Sequence, residues 1–171
     1  MAVNYELKAR LPSLAKARTQ AQECGAIFQG MLRQEDIYFR VPRGRLKLRL
    51  IEGAESELIY YERSNTDLER WSDYTREPVG DGAALKEILT QALGVRAVVK
   101  KERWLYLYGV VRIHIDNVEG LGEFIEFEVV TSDRAKAVSL MRLLRQFFQV
   151  RDEEIFKGSY SDMVFEEKNF R

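Results

Sequence analysis

Side chains two residues apart on an extended strand leave the same face. On that spacing the charged residues of this 171-residue chain gather into same-face sets. Glu6 stands with Lys8, Lys47 with Arg49, Lys101 with Arg103, Arg112 with His114 and Asp116, and Glu126 with Glu128. Lysines and arginines converging in a lumen would neutralise a polyanion, and carboxylates on one side would hold a divalent cation that bridges and polarises phosphate oxygens. Tandem carboxylates such as Glu126 and Glu128 repel each other, a cost that a shared cation relieves. His114 serves on this face either as a proton-transfer group or as a hydrogen-bonded, partly exposed histidine. The same alternation also fits a plain barrel with apolar residues inside and the charges in water. Periodicity alone does not choose between the two.

The elements that would position these groups are mostly strands. Apolar residues alternate with polar ones over 3–9, 46–50, 111–115 and 125–129, and further strands are expected at 35–41, 57–63, 70–77 and 97–107. Helices are expected at 13–24, after Pro12 and stopping at Gly25, and at 82–93, with Asp81 as N-cap and Gly94 as the stop. A third is expected at 133–149, where Ala137, Val138, Met141, Leu144, Phe147 and Phe148 recur at helical spacing. Clustered strands with few helices imply an antiparallel α+β sheet or barrel. The amphipathic helices need an apolar sheet face, which favours charges turned inward.

Composition removes several functions. Lys plus Arg total 27 and Asp plus Glu total 27, so the net charge is zero. That argues against a bulk-electrostatic partner, whether nucleic acid or an acidic membrane. One cysteine, Cys24, excludes an intrachain disulfide and a cysteine zinc cluster, and one histidine excludes a multi-histidine metal site. There is no signal-peptide pattern and no apolar run near the ~20 residues a bilayer span requires, so a soluble cytoplasmic protein is expected.

Taken in order, the motifs resemble those of the CYTH superfamily, the triphosphate tunnel metalloenzymes. Asn4-Tyr5-Glu6-Leu7-Lys8 is similar to its ExExK opening. The likeness continues through Asp36-Ile37-Tyr38-Phe39, Leu46-Lys47-Leu48-Arg49, Lys101-Glu102-Arg103 and Val111-Arg112-Ile113-His114-Ile115-Asp116. It ends in the run from Gly120 to Glu128, GLGEFIEFE. Residues 58–63, 70–74 and 111–116 resemble the class IV adenylyl cyclase group most.

The resemblance implies one CYTH domain over residues 1–171. Its fold would be α+β, an eight-stranded antiparallel β-barrel open at both ends with about three flanking helices. It implies Glu6, Asp116, Glu126 and Glu128 as ligands for Mg²⁺ or Mn²⁺. It implies Lys8, Lys47, Arg49, Lys101, Arg103 and Arg112 as a triphosphate clamp, with Lys8 and Arg112 catalytic. The implied substrate is a small-molecule triphosphate such as ATP or inorganic triphosphate, either hydrolysed or, for ATP, cyclised to cyclic AMP and pyrophosphate. A non-catalytic polyphosphate- or nucleotide-binding module is the alternative. A homodimer is compatible with barrel surface that three helices leave uncovered. Two positions depart from the pattern. Asn4 replaces its first glutamate with a neutral amide, and Tyr61 stands where many members have lysine, which leaves Arg63 or Arg76 to reach in. Asp73 and Tyr74 contact a base or clamp residue or are structural. Ser159 and Tyr160, ahead of Asp162, form a closing segment or else an edge strand or loose tail.

Overall fold

The computed structural model describes residues 2–63 and 67–169. Eight antiparallel strands run β1 (Ala2–Arg10), β2 (Ile27–Phe39), β3 (Arg45–Ile51), β4 (Ser56–Arg63), β5 (Arg70–Val79), β6 (Val95–Tyr108), β7 (Val111–Val118) and β8 (Gly122–Val129). They close into a barrel in the order β1-β5-β4-β3-β2-β6-β7-β8. Four helices accompany them: α1 (Leu14–Glu23), α2 (Gly82–Leu93), α3 (Arg134–Phe147) and α4 (Tyr160–Asn169). No helix among the described residues is long and apolar enough to cross a membrane.

Local chemistry sets the helix ends. The Ser13 hydroxyl accepts from the Lys16 amide at 3.2 Å, the Asp81 carboxylate from Ala84 at 2.9 Å and the Asp133 carboxylate from Lys136 at 3.0 Å. Each fills one of the donors a helix start leaves unpaired. At the far end of α2, Gly94 takes a φ of +75°, which a side chain would resist.

The apolar strand faces turn outward. Tyr5, Leu7 and Ala9 of β1, Ile113 and Ile115 of β7 and Ile125, Phe127 and Val129 of β8 are buried against Ala17 and Ala21 of α1 and Ala137, Met141 and Leu144 of α3. On the opposite wall Ile37, Phe39 and Leu48 pack beneath Leu85, Leu89 and Leu93 of α2. Burying one such side chain is worth roughly 1.5–3 kcal/mol, so the gap between wall and helices holds most of the hydrophobic stabilisation. Because strand side chains alternate, this burial forces the charged residues into the lumen. That decides between the two barrels that periodicity left open.

Two elements differ from expectation. β2 begins at Ile27, well before 35, and passes Gly30 through a register shift against β6 between Phe28 and Gly30. The consecutive apolar pair and the glycine break the alternation that marks a strand. The C-terminal segment is neither strand nor loose tail. It forms α4, started by Ser159 and Asp162: the Asp162 carboxylate accepts from the Ser159 amide at 2.9 Å, and the Ser159 hydroxyl accepts from the Asp162 amide at 3.4 Å. This reciprocal pair is the capping-box arrangement.

α4 also closes one end of the barrel. Tyr160 and Met163 join Tyr38, Ile59, Tyr61, Val99, Val118 and Phe124 in a buried cluster inside the wall. The Arg70 guanidinium donates to the Lys157 and Gly158 carbonyls, and Arg45 and Arg96 pair with Asp162 at 2.9 and 3.1 Å. The described residues therefore make a blind tunnel, where the resemblance implies one open at both ends.

Candidate active site

Strand register sorts the lumen into an acidic and a basic wall. On β1, β7 and β8, Glu6 lies opposite Glu128, Lys8 and His114 each lie opposite Glu126, and Arg112 lies opposite Glu128. On β2, β3 and β6, Asp36 lies opposite Arg49, while Lys101 and Arg103 follow along β6. Nine of the ten charged positions expected from the sequence border one cavity; the tenth, Asp116, does not. The cavity they border is about 240 Å³. That is smaller than the roughly 300–1,000 Å³ of pockets that enclose drug-sized molecules.

On the acidic wall each carboxylate meets a cation. Lys8 Nζ is 2.6 Å from Glu126, Arg70 Nε is 3.1 Å from Glu6, and Arg112 Nε faces Glu128 at 3.3 Å. His114 Nδ1 lies 3.1 Å from Glu126 Oε1. One ligand atom each from His114, Glu126 and Glu128 falls within 4.8 Å of the others. The two glutamates are driven apart electrostatically. Burial and the neighbouring Glu126 charge push the Glu128 carboxyl up to about 7. Burial also works against Glu126, but Lys8, the His114 hydrogen bond and Arg103 hold it well below the usual carboxylate range. Burial and Arg103 pull His114 down to about 4, so its imidazole is neutral at physiological pH.

On the basic wall one carboxylate organises three cations. Asp36, fully buried, accepts from Arg49 Nε at 2.7 Å and Nη2 at 2.9 Å, from Lys47 at 3.0 Å and from Lys101 at 3.2 Å. Burial opposes the charge of Asp36, yet Arg49, Lys101 and Lys47 hold its pKa well below the usual carboxylate range. Asp116 plays the same part for Arg103, with the two side chains joined at 2.8 and 2.7 Å. The Tyr160 hydroxyl donates to Asp116 at 2.8 Å as well. Asp116 is completely buried and is not among the residues bordering the cavity, so it sits behind the clamp, apart from Glu6, Glu126 and Glu128. Its two oxygens are engaged by Arg103 and Tyr160.

The departures from the family pattern have visible consequences. Tyr61 borders the cavity beneath Lys47, whose ammonium is 5.9 Å from the ring centre. Arg76 reaches the cavity rim and pairs with Glu57 at 3.4 Å, whereas the Arg63 side chain lies outside the described residues. Tyr74 accepts from Arg112 at 3.2 Å, while Asp73 is exposed. Asn4 is buried at 4% exposure, and its Oδ1 has no hydrogen-bond partner. Gln34 Oε1 shares that condition, while Arg112 Nε meets Glu128 at 3.3 Å as an ion pair without hydrogen-bond geometry; all three residues border the same cavity.

Orphaned buried polar atoms are costly unless a ligand satisfies them. Glu126 and Glu128 with His114 are a donor set that fits a divalent cation, and Asn4 and Glu6 border the same cavity outside that group. Sequence reasoning missed Asp36, Arg70 and Gln34 as members of the site. Asp36 was legible as the single acid on the Gln34-Asp36-Tyr38 face. Arg70 was not, because only the pairing of β1 with β5 sets it against Glu6.

Facing acidic and basic walls in the lumen, with the apolar core outside, define this barrel as a charged tunnel. The chain belongs to the CYTH domain family, whose model matches residues 2–155. A Methanocaldococcus jannaschii protein bearing a provisional adenylate cyclase name is 25% identical, over 94% of this chain and 98% of its own. A solved structure from Pyrococcus horikoshii OT3 is 26% identical with a TM-score of 0.86, over 94% of this chain and 99% of that one. A Hippeastrum structure, described as showing a dominant triphosphatase activity, is 13% identical with a TM-score of 0.70, covering 98% and 96%. At that identity the likeness is one of fold.

Proposed function

We propose that this protein is a metal-dependent enzyme that cleaves a P–O–P linkage in a small triphosphate. Either a phosphohydrolase or an adenylyl cyclase-like activity on ATP answers that description, and both suit a cytoplasmic setting. The observation that carries the reading is a pair of orphaned acceptors in a cavity bordered by both the cations and the carboxylates. Asn4 Oδ1 and Gln34 Oε1 lack a hydrogen-bond partner there, and Arg112 Nε meets Glu128 only as an ion pair at 3.3 Å, which supports a ligand that brings positive charge or donors as well as acceptors.

In this reading Lys8, Lys47, Arg49, Lys101, Arg103 and Arg112 bind the triphosphate oxygens, and Asp36 and Asp116 fix their directions from behind. Phosphate arriving at Lys8 draws it from Glu126, and phosphate at Arg112 draws it from Glu128. The same exchange frees Glu126 and Glu128, which with Asn4 and Glu6 would hold Mg²⁺ or Mn²⁺; when bound, the metal would polarise phosphorus and activate the attacking oxygen. Arg112 and Lys8 then stabilise charge developing on the transferred and leaving phosphates. His114, neutral and beside Glu126, keeps that carboxylate oriented.

The test is product analysis by chromatography with inorganic triphosphate and with ATP, each with Mg²⁺ or Mn²⁺. Expected products are orthophosphate with pyrophosphate or ADP for a hydrolase, or cyclic AMP with pyrophosphate for a cyclase. The Glu126→Ala, Glu128→Ala double variant should form neither. Binding without turnover in every tube would overturn the enzyme reading in favour of a binding module.

A homodimer belongs to the same proposal. β3 pairs with β2 only over Gln34–Tyr38, which leaves the uncharged stretch 27–32 with an open edge and exposed Ile27, Phe28 and Met31. An open, uncharged antiparallel edge is self-complementary about a two-fold axis. Sedimentation showing a monomer at all concentrations would remove it.

A further inference from the structure

Glu6, Glu126 and Glu128 on the acidic wall each meet a cation, but the three cations are not equivalent. Lys8 and Arg112 border the cavity, where a phosphate can reach them. Arg70 is 2% exposed and does not border it. Its planar fork is spread over three acceptors instead. Nε donates to Glu6 Oε1 at 3.1 Å, Nη1 donates to the Lys157 carbonyl, and Nη2 donates to the Gly158 carbonyl at 2.7 Å. An ion pair with Glu6 needs only the first of these contacts. The other two fix the plane of the guanidinium, and with it the direction from which Glu6 is held.

Those two carbonyls belong to the segment that leads into α4. The segment is stitched to β1 beside the same wall: the Phe156 amide donates to the Lys8 carbonyl at 2.8 Å, and Ile155 bridges to Ala9. Gly158 is followed directly by Ser159, which with Asp162 forms the reciprocal pair that starts the helix. Arg70 therefore joins a carboxylate of the lumen to the start of the helix that closes it. The pairing of β5 with β1 sets it there, with Arg70 opposite Glu6. In the proposed reading, phosphate draws Lys8 from Glu126 and Arg112 from Glu128. It does not reach Arg70, so the contact with Glu6 outlasts the arrival of substrate.

Resting on the proposed function, we infer that Arg70 is a positioning residue: it orients Glu6 for the divalent cation and ties the occupancy of the acidic wall to the order of α4. Holding Glu6 holds the guanidinium, and holding the guanidinium holds the carbonyls of Lys157 and Gly158. By linkage the effect is reciprocal, so an ordered helix start raises affinity for the cation. Arg70 touches neither the phosphates nor the cation in this arrangement and is not a catalytic residue. Arg70→Lys separates geometry from charge. It keeps a cation beside Glu6 and loses the planar fork that spans three separate acceptors.

The experiment uses the full chain, Mn²⁺ as the probe cation, and inorganic triphosphate with methylene groups in place of its bridging oxygens, held equimolar with the protein. Electron paramagnetic resonance follows Mn²⁺ binding, and hydrogen exchange read by mass spectrometry follows the amides of residues 160–165. In the wild type, Mn²⁺ should slow exchange of those amides. In Arg70→Lys, Mn²⁺ should bind roughly 10- to 100-fold more weakly, the usual cost of losing a partner that orients a metal ligand. Exchange at 160–165 should then no longer respond to saturating Mn²⁺. Unchanged Mn²⁺ affinity in the variant, whatever its melting temperature, would make Arg70 merely structural and overturn the inference. Tighter Mn²⁺ binding would mean that Arg70 only opposes the charge of the cation, which also overturns it. Wild-type protein that binds Mn²⁺ with exchange at 160–165 unaltered overturns it without any variant, so the test survives a variant that does not fold. These three results leave the functional reading intact, whereas wild-type protein that binds no Mn²⁺ beside the analogue would remove that reading and this inference together.

Discussion

Asp36 is where charge organisation and stability meet, and Asp36→Asn separates them. The substitution keeps the volume of a fully buried side chain and removes the one negative charge that Arg49, Lys47 and Lys101 share. Breaking a buried ion pair from one side costs about 3–5 kcal/mol, because the remaining charge stays desolvated. For a chain of this length each kcal/mol moves the melting temperature by about 2–4 °C, so a loss of roughly 6–20 °C is expected. Burial and Arg103 already hold Lys101 well below its ordinary value, so shedding its proton will return part of that loss. Inorganic triphosphate supplies the missing negative charge to the same three cations. Thermal melts with and without it should show the gap between variant and wild type narrowing when ligand is present, the linkage signature of tighter binding by the variant. A variant that melts within about 2 °C of wild type would refute the shared-anion account. A gap that widens with triphosphate would refute the claim that phosphate replaces Asp36.

Other outcomes follow from the inverted barrel and its closed end. Phe127, fully buried outside the wall and 5.2 Å from the Phe148 ring, should cost about 3–5 kcal/mol as Phe127→Ala in urea unfolding. Lys47→Met on the lumen side leaves Asp36 with two cations and should cost less than Phe127→Ala; the reverse order would contradict the orientation of the wall. Asp162 holds α4 at the closed end. Burial opposes its charge, but Arg45, Ser159 and Arg96 lower its pKa below the ordinary carboxylate value. A depressed folded pKa contributes stability that is complete above the unfolded value of about 4 and fades as pH falls through the folded one. Hydrogen exchange should therefore show the amides of residues 160–165 losing protection below about pH 4 before the strands do. Protection that falls in step with the barrel would sink this prediction.

Much of this was legible in the chain. Alternation over β1, β3, β7 and β8 marked the strands, and the spacing of Lys8, Lys47, Arg49, Lys101 and Arg103 marked one converging face. Which face converges was beyond periodicity, because a barrel and its inverse share the same alternation. The helices decide that question, and only through packing. Arg70 escaped notice because its partner Glu6 is fixed by strand pairing across 64 residues of sequence; Asp36 was readable as an acid on its face, but its role depends on cations from other strands, Lys101 being 65 residues away. α4 escaped because its buried side chains, Tyr160, Ser161 and Met163, include a serine and make no amphipathic stripe, although Ser159 and Asp162 were a readable start signal.

A tunnel with one opening also dictates a queue. Whatever fragment lies deepest, against Tyr160 and the Lys8 ammonium 4.0 Å above its ring, cannot depart until the outer fragment has gone. Under the proposed reaction the deep product is thus the last to leave and meets the same free form of the protein as fresh substrate does. It should inhibit competitively, and the outer product noncompetitively, so steady-state inhibition patterns alone would report which end of the triphosphate points toward α4.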